Sequence, residues 1–129
     1  DFAFFHPLRV RWAEVDMQKV VFNGNYMLYC DVAFTEYWRN SGLKSSTAQA
    51  QDGIELFLRT ATLDYAASAE FDDQLDIGVR CSRLGRSSMT MAIGMALPSY
   101  RIPTSDAAPA ATLNCRHPSN ADALPARAP

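Results

Sequence analysis

One acidic side chain, Asp16, stands where a lone carboxylate could do chemistry. It lies in the stretch 12–26, WAEVDMQKVVFNGNY, which holds no histidine, cysteine or serine that could complete a triad with it. A carboxylate is ordinarily ionised at neutral pH, so it can attack an electrophilic carbon or take a proton from water. The residue pattern is compatible with both roles and with a third, an exposed carboxylate that only ends a strand.

A strand is predicted immediately before Asp16. From Leu8 to Val15 apolar and polar residues largely alternate, with Leu8, Val10 and Trp12 on one face. A period of two residues is typical of a strand with one buried face. The carboxylate is therefore expected at the end of the first strand.

A long helix is predicted after it, from Asn25 to Asn40. Apolar and aromatic residues recur there at spacings of three and four, as on the buried face of a helix. Asn23 or Asn25 can cap its start, and Gly42 supplies a left-handed stop. The number of aromatic side chains predicts a helix that is buried on more than one side.

The rest of the chain shows strand patterns only. A polar link at 44–52 precedes three predicted strands, and a short fourth strand is compatible with Ala111–Cys115. The sequence around Gly85 is typical of a two-residue hairpin loop, and the strand after it alternates methionines with small residues that permit close approach. One long helix followed by an antiparallel meander is an α+β arrangement in which the sheet wraps the helix. The three strands are Ile54–Tyr65, Leu75–Leu84 and Ser87–Leu97.

Composition limits the remaining classes of protein. At 129 residues the chain is interpreted as a single domain over 1–129, with an atypical Ala/Pro-rich segment at 98–129. The net charge of −2 argues against a nucleic-acid partner, and the apolar runs are too short to cross a membrane. Three cysteines without a C-x-x-C pair indicate neither a disulfide framework nor a metal site, which favours a cytoplasmic location.

Two blocks of sequence carry a resemblance to a known family. WAEVDMQKVVFNGNYMLYCDVAFTEYWR and LDYAASAEFDDQLDIGVRCSRLGRSSM together resemble the hot-dog-fold acyl-CoA thioesterases, in particular the 4-hydroxybenzoyl-CoA thioesterase-like branch. The resemblance covers roughly residues 8 to 97 and implies a hot-dog fold. The chain departs from the family pattern where Gln18 and Lys19 replace a glycine, and where Asn23 replaces the histidine of some relatives.

The resemblance implies a catalytic role for Asp16 and for the helix start. Asp16 would act as nucleophile or general base on a thioester carbonyl. Unpaired N–H groups around Gly24, Asn25 and Tyr26 would stabilise the oxyanion, and the Asn23 amide would position water or the carbonyl unless it simply caps the helix. The loop residues before the helix, Val21 and Phe22, would contact the substrate.

Coenzyme A adds phosphates that need a cationic contact. Four residues at the predicted hairpin are candidates for a clamp, although arginines at hairpin tips are usually only solvated. No metal and no cofactor beyond the coenzyme A of the substrate is implied. The family also implies a homodimer or a dimer of dimers, with the active site between the Asp loop of one chain and the helix start of the other. The candidate clamp is Arg83, Arg86, Ser87 and Ser88.

Two other functions compete with thioester hydrolysis. A hot-dog dehydratase or hydratase needs a histidine paired with a carboxylate, and the two histidines, His6 and His117, are not placed for that role. A non-catalytic acyl-CoA-binding protein of the same fold would bind thioesters without turnover. The acidic cluster at Glu70, Asp72 and Asp73 is interpreted as a solvated turn.

Overall fold

The fold is one helix packed against one five-stranded antiparallel sheet with strand order β1-β3-β4-β5-β2. The computed structural model describes residues 2–42, 56–97 and 111–116. The predicted α+β class is therefore confirmed, whereas the polar link at 44–52 and most of the Ala/Pro-rich segment lie outside the described residues. The elements are β1 (Phe4–Arg9), a 3-10 turn (Trp12–Glu14), α1 (Asn23–Asn40), β2 (Phe57–Leu63), β3 (Gln74–Leu84), β4 (Ser88–Ala96) and β5 (Ala111–Arg116).

The predicted meander is wrong in its order, because β2 does not neighbour β3. β2 pairs with β5 at one edge of the sheet, while β3 lies between β1 and β4. The segment between β2 and β3 crosses to the helix start, where the Val21 N–H donates to the Ala69 carbonyl over 2.8 Å. This crossing places β2 at the edge of the sheet opposite β1.

The first strand lies earlier than the alternation predicted, at Phe4–Arg9 rather than Leu8–Val15. The chain leaves the sheet at Val10, whose N–H donates to Asp73 O, and then turns. The turn is closed by the Glu14 carboxylate, which accepts from the Arg11 N–H over 2.7 Å. Trp12, which the alternation placed on the buried face, is consequently 72% exposed.

The core lies between α1 and one face of the sheet. Cys30 and Ala33 of the helix pack with Ile77 of β3 and Ile93 of β4, all without measurable exposure. The division predicted for β4 is confirmed on this face, because Met91 is also fully buried. Burial of these apolar side chains against the helix is the main contribution to the stability of the fold.

The helix starts two residues earlier than predicted and ends where predicted. It spans Asn23–Asn40, so its N-cap is Phe22 and neither Asn23 nor Asn25 caps it. Gly42 takes the left-handed conformation, with φ +82°, and its N–H donates to Arg39 O. That stop is the expected use of a glycine after a helix.

The β3–β4 connection differs from the predicted two-residue loop. Gly85, Arg86 and Ser87 separate the strands, and Gly85 does not have the positive φ that a glycine-first hairpin turn requires. Its N–H instead donates to Ser88 O over 2.7 Å, and a Cβ on Gly85 would lie 2.9 Å from the Ser88 Oγ. Close approach therefore accounts for the glycine.

Candidate functional site

Asp16 begins a tight hairpin that leads directly into the helix. The Lys19 N–H donates to Asp16 O and the Asp16 N–H donates to Val20 O, both over 2.9 Å. One carboxylate oxygen, Oδ1, accepts the Gln18 N–H over 2.8 Å. The other oxygen has no partner among the described residues and is available to act on a substrate or on water.

Lys19 occupies the position in this hairpin that ordinarily takes glycine. Its φ of +66° is left-handed, as in a three-residue hairpin loop that ends in a bulge. A side chain with a Cβ is strained in this conformation, so the glycine that the family usually carries is replaced here at a cost. The geometry of the Asp16 hairpin is nevertheless that of a glycine-containing loop.

Lys19→Gly is expected to raise the free energy of unfolding by about 0.5 to 1 kcal/mol, because strain relief outweighs the greater flexibility of the unfolded chain. Urea unfolding followed by circular dichroism measures the change. Lys19→Ala is the matched control, since it removes the same charge and keeps the Cβ. A gain of equal size in both variants would attribute the effect to charge rather than to the backbone.

The helix start presents uncapped N–H donors. The N-cap, Phe22, makes no side-chain hydrogen bond to the helix. The Asn25 N–H donates to Phe22 O over 2.9 Å, so it is not free as the resemblance implied. The N–H groups of Asn23 and Gly24 have no partner among the described residues, and they carry the partial positive charge of a helix start.

The side chains around the Asn23 and Gly24 N–H groups leave these donors partly accessible. The Asn23 amide makes no hydrogen bond within the described ranges, and its residue is exposed. A Cβ on Gly24 would lie 3.1 Å from Cε1 of Phe22, so the glycine gives the Phe22 ring room at the helix start. That ring is half-exposed, whereas Val21 is buried in the core and offers a substrate little surface.

A buried carboxylate, Glu14, joins the Asp16 hairpin to the helix. Its oxygens accept the Arg11 N–H over 2.7 Å and the Arg11 guanidinium over 2.8 and 3.2 Å. Its backbone carbonyl accepts both the Phe22 N–H and the Asn25 side-chain amide over 2.9 Å. Asn25 therefore has a structural role that sequence reasoning missed.

Electrostatics around Glu14 hold it in the charged form. Hydrogen bonds from Arg11 lower the pKa of this carboxyl group, against the opposing effect of burial. Beneath it the Tyr29 ring is almost fully buried, and burial, followed by the nearby Glu14 charge, raises the pKa of Tyr29. The Tyr29 hydroxyl has no hydrogen-bond partner in the described part of the chain. The cluster of Arg11, Glu14 and Tyr29 therefore stabilises the helix start.

The connection between β2 and β3 covers one side of the helix start. The Tyr26 hydroxyl accepts the Ala69 N–H over 2.9 Å, which ties this connection to the helix start. Tyr65 packs edge-on against Tyr26, and its hydroxyl donates to Asn23 O over 3.3 Å. Neither Tyr65 nor Ala69 was singled out from the sequence.

The acidic turn that follows lies at the same end of the sheet. Asp73 accepts the Glu70 N–H through its carboxylate over 2.8 Å, and Asp72 has a left-handed φ of +68°. Asp72 also pairs with Arg9 across 3.3 Å at the surface. The interpretation of this cluster as a solvated turn is confirmed.

The candidate phosphate clamp lies at the other end of the sheet. Arg83, Arg86, Ser87 and Ser88 flank the β3–β4 hairpin, whereas the Asp16 hairpin is bridged through Val20 to Glu70, close to where β3 begins. The eleven residues of β3 span about 35 Å at the usual rise of a strand. Within one chain, the structure does not bring the arginines to Asp16.

Two solved structures that are similar to this chain are thioesterases by name. The chain matches a probable thioesterase from Bartonella henselae with a TM-score of 0.74, 23% identity and 98% of each chain covered. It matches a DHNA-CoA thioesterase from Staphylococcus aureus with a TM-score of 0.73 and 17% identity, over 87% of this chain and 71% of that one. One helix against a five-stranded antiparallel sheet with this likeness defines a hot-dog-fold protein, as predicted.

The sequence comparisons narrow the class to one family. A model of the thioesterase superfamily matches residues 18–96, which is more than half of the chain, and the chain belongs to that superfamily. The acyl-CoA thioesterase YbgC of Haemophilus influenzae is 27% identical over 84 residues, which are 65% of this chain and 62% of that protein. The chain thus aligns with less than two thirds of the length of this relative. The predicted resemblance is confirmed.

The described residues include no helix that is long and apolar enough to span a membrane.

Proposed function

We propose that the protein is an acyl-CoA thioesterase that hydrolyses a thioester to a free acid and coenzyme A. The observation that carries the proposal is the direct connection of a half-free carboxylate, Asp16, to a helix whose first two N–H groups are uncapped. Membership of the thioesterase superfamily supports it, as does the similarity to a relative named acyl-CoA thioesterase.

The reaction divides between the carboxylate and the helix start. Asp16 either attacks the thioester carbonyl, forming a mixed anhydride that water hydrolyses, or takes a proton from the water that attacks. The carbonyl oxygen becomes negatively charged and accepts hydrogen bonds from the N–H groups of Asn23 and Gly24. Coenzyme A leaves as the thiolate, and the Asn23 amide orients the carbonyl or the water. This chemistry requires no metal or redox cofactor.

The coenzyme A phosphates need a cationic contact, and the proposal keeps the hairpin residues for it. Arg83 and Arg86 are exposed, and neither forms a salt bridge with a carboxylate among the described residues. Within one chain, both arginines lie far from Asp16. Contact with the coenzyme A phosphates therefore requires a second chain, which brings either its β3–β4 hairpin or its helix start to the Asp16 hairpin of the first. The site we propose is therefore shared between subunits of a homodimer, or of a dimer of dimers.

One edge of the sheet is suited to that pairing. β2 is exposed along nearly its whole length, with Phe57 and Leu58 at 57% and 50% exposure, and contains no proline. The opposite edge strand, β1, contains Pro7, which cannot donate a hydrogen bond to a further strand. Among the described residues this edge has no neighbouring strand, so it can pair with a second copy of the same strand.

Thr60→Lys, in the middle of β2, is expected to raise the dissociation constant of the dimer at least tenfold. The reason is that pairing of two β2 edges would bring the introduced like charges close together. Sedimentation velocity over a concentration series measures this. Phe5→Lys, on exposed β1, is the matched control and is expected to leave assembly unchanged. A wild-type protein that is monomeric at all concentrations would contradict pairing through β2.

The function is tested by incubating the wild-type protein with short, long and aromatic acyl-CoA thioesters. Free coenzyme A is quantified by chromatography, because the chain carries three free cysteines, of which Cys81 is partly exposed and would react with a thiol dye. Hydrolysis of at least one thioester is expected. Saturable binding without turnover would favour the non-catalytic acyl-CoA-binding alternative. A separate incubation with an enoyl-CoA, followed for the addition of water, tests the hydratase alternative. The free thiols also agree with the cytoplasmic location that we propose.

A further inference from the structure

A tyrosine outside the predicted site contacts the backbone of the proposed oxyanion donors. Tyr65 lies in the connection between β2 and β3, and its hydroxyl donates to Asn23 O over 3.3 Å. Asn23 is the first residue of α1, so the contacted carbonyl belongs to the first turn. The ring is 53% exposed and packs edge-on against Tyr26 at a centroid distance of 5.7 Å.

Two further contacts fix the segment that carries Tyr65 to the helix start. The Val21 N–H donates to Ala69 O over 2.8 Å, and the Ala69 N–H donates to the Tyr26 hydroxyl over 2.9 Å. These bonds hold the connection in place on both sides of the first turn. The position of the Tyr65 hydroxyl is therefore set by the fold rather than by its own single hydrogen bond.

The contacted carbonyl and one of the free donors belong to the same peptide group. The Asn23 C=O and the Gly24 N–H are the two ends of one amide, and the Gly24 N–H has no partner among the described residues. A hydrogen bond to an amide oxygen draws electron density from nitrogen to oxygen, which makes the N–H a stronger donor. It also restrains the plane of that amide and hence the direction of the N–H.

We propose that Tyr65 is a positioning residue for thioester hydrolysis, whose hydroxyl orients and polarises the Asn23–Gly24 peptide group so that the Gly24 N–H stabilises the oxyanion. This inference rests on the proposed function. Tyr65 acts through the peptide group and needs no contact with the substrate. Its effect is expected in the transition state, where the negative charge on the oxygen is largest, and not in substrate binding.

Tyr65→Phe removes the hydroxyl and keeps the ring that packs on Tyr26. We expect kcat to fall about three- to tenfold, because the donor is weakened and not lost, while KM changes less than twofold. Tyr37→Phe is the matched control, because Tyr37 lies near the other end of α1, with its ring against Phe4. That control is expected to retain wild-type kcat. An unchanged kcat in Tyr65→Phe, with active wild-type protein, would overturn the inference and leave the thioesterase proposal standing.

A second measurement does not depend on turnover. In ¹H–¹⁵N correlation spectra the Gly24 amide proton is expected to move upfield in Tyr65→Phe, because its polarisation is lost, and to stay in place in Tyr37→Phe. A lower kcat without a Gly24 shift would overturn the proposed route through the peptide group. If the wild type hydrolyses no thioester, the proposed function and the catalytic part of the inference fail together, and the Gly24 shift still decides whether Tyr65 polarises this amide.

Discussion

Asp16→Asn is expected to lower kcat for thioester hydrolysis by at least a hundredfold, with the stability of the protein nearly unchanged. Asparagine is neutral, so it neither attacks a carbonyl effectively nor accepts a proton from water, and general base catalysis alone contributes roughly a hundredfold to ten-thousandfold. Its Oδ1 can still accept the Gln18 N–H, which Asp16 accepts over 2.8 Å. The hairpin that leads to the helix should therefore stay folded.

The measurement is release of free coenzyme A under saturating substrate, together with urea unfolding of both proteins. Asp72→Asn is the matched control, because Asp72 is also an aspartate in a turn and its only ionic partner in the described ranges is the surface residue Arg9. Wild-type activity is expected there. If Asp16→Asn retained more than a third of the wild-type kcat, Asp16 would be a turn residue without a chemical role.

Solvent labelling of the wild-type protein can detect the nucleophilic role of Asp16. Turnover in water enriched in ¹⁸O would place label in the Asp16 carboxylate if a mixed anhydride forms and water attacks the aspartyl carbon. Peptide mass spectrometry detects that label. Label confined to the released acid is expected whenever water attacks the substrate acyl carbon, as it does in general base catalysis.

Glu14→Gln is expected to lower the free energy of unfolding at pH 7 by about 1 to 2 kcal/mol, since hydrogen bonds to the buried carboxylate are replaced by weaker neutral ones. The Glu14 side chain is only 7% exposed, although its partner Arg11 is 73% exposed, so water partly screens the pair. In addition, one end of the glutamine amide would present a donor to the Arg11 guanidinium, which itself can only donate.

The decrease in the free energy of unfolding caused by Glu14→Gln should depend on pH in a defined direction. Arg11 lowers the pKa of Glu14 in the folded protein, so the stabilisation is fully present above the ordinary value of 4.5 and is lost as the pH falls through the folded pKa. The difference between wild type and Glu14→Gln should therefore shrink below about pH 4. Urea unfolding at pH 7, 5, 4 and 3 measures it.

Glu36→Gln is the control for this prediction. Glu36 also pairs with an arginine three residues away, Arg39, but its carboxylate is 35% exposed. An exposed pair of this kind contributes at most about 0.5 kcal/mol. Equal losses in the two variants, or a Glu14→Gln difference that stays constant down to pH 3, would contradict the stabilising role assigned to the buried Glu14 carboxylate.

Local patterns were sufficient for most of the secondary structure. The helix, β3, β4 and β5 follow from apolar periodicity of 3.6 or 2 residues, because each buries one face against the same core. Gly42 was predictable as a helix stop because few residues other than glycine tolerate its φ of +82°. Asp16 stood out because the resemblance of the surrounding residues to a thioesterase family gave it a role.

Specific hydrogen bonds of Glu14 decided what these patterns could not. The first strand ends before Trp12 because Glu14 is charged, buried and bonded to Arg11, which alternation alone does not reveal. The helix begins at Asn23 without an N-cap side chain because its N-cap is Phe22, while Asn25, one of the two expected caps, donates to Glu14 O.

The sequence by itself therefore determined that this is an α+β protein with one long helix and one carboxylate of interest. Only the tertiary structure decided the strand order, the free donors of Asn23 and Gly24, and the approach of Tyr65 to them. The physical reason is that periodicity reports which face of an element is buried, whereas hydrogen bonds between residues more than forty positions apart depend on where the chain returns. Tyr65 and Asn23, which are 42 residues apart, are such a pair.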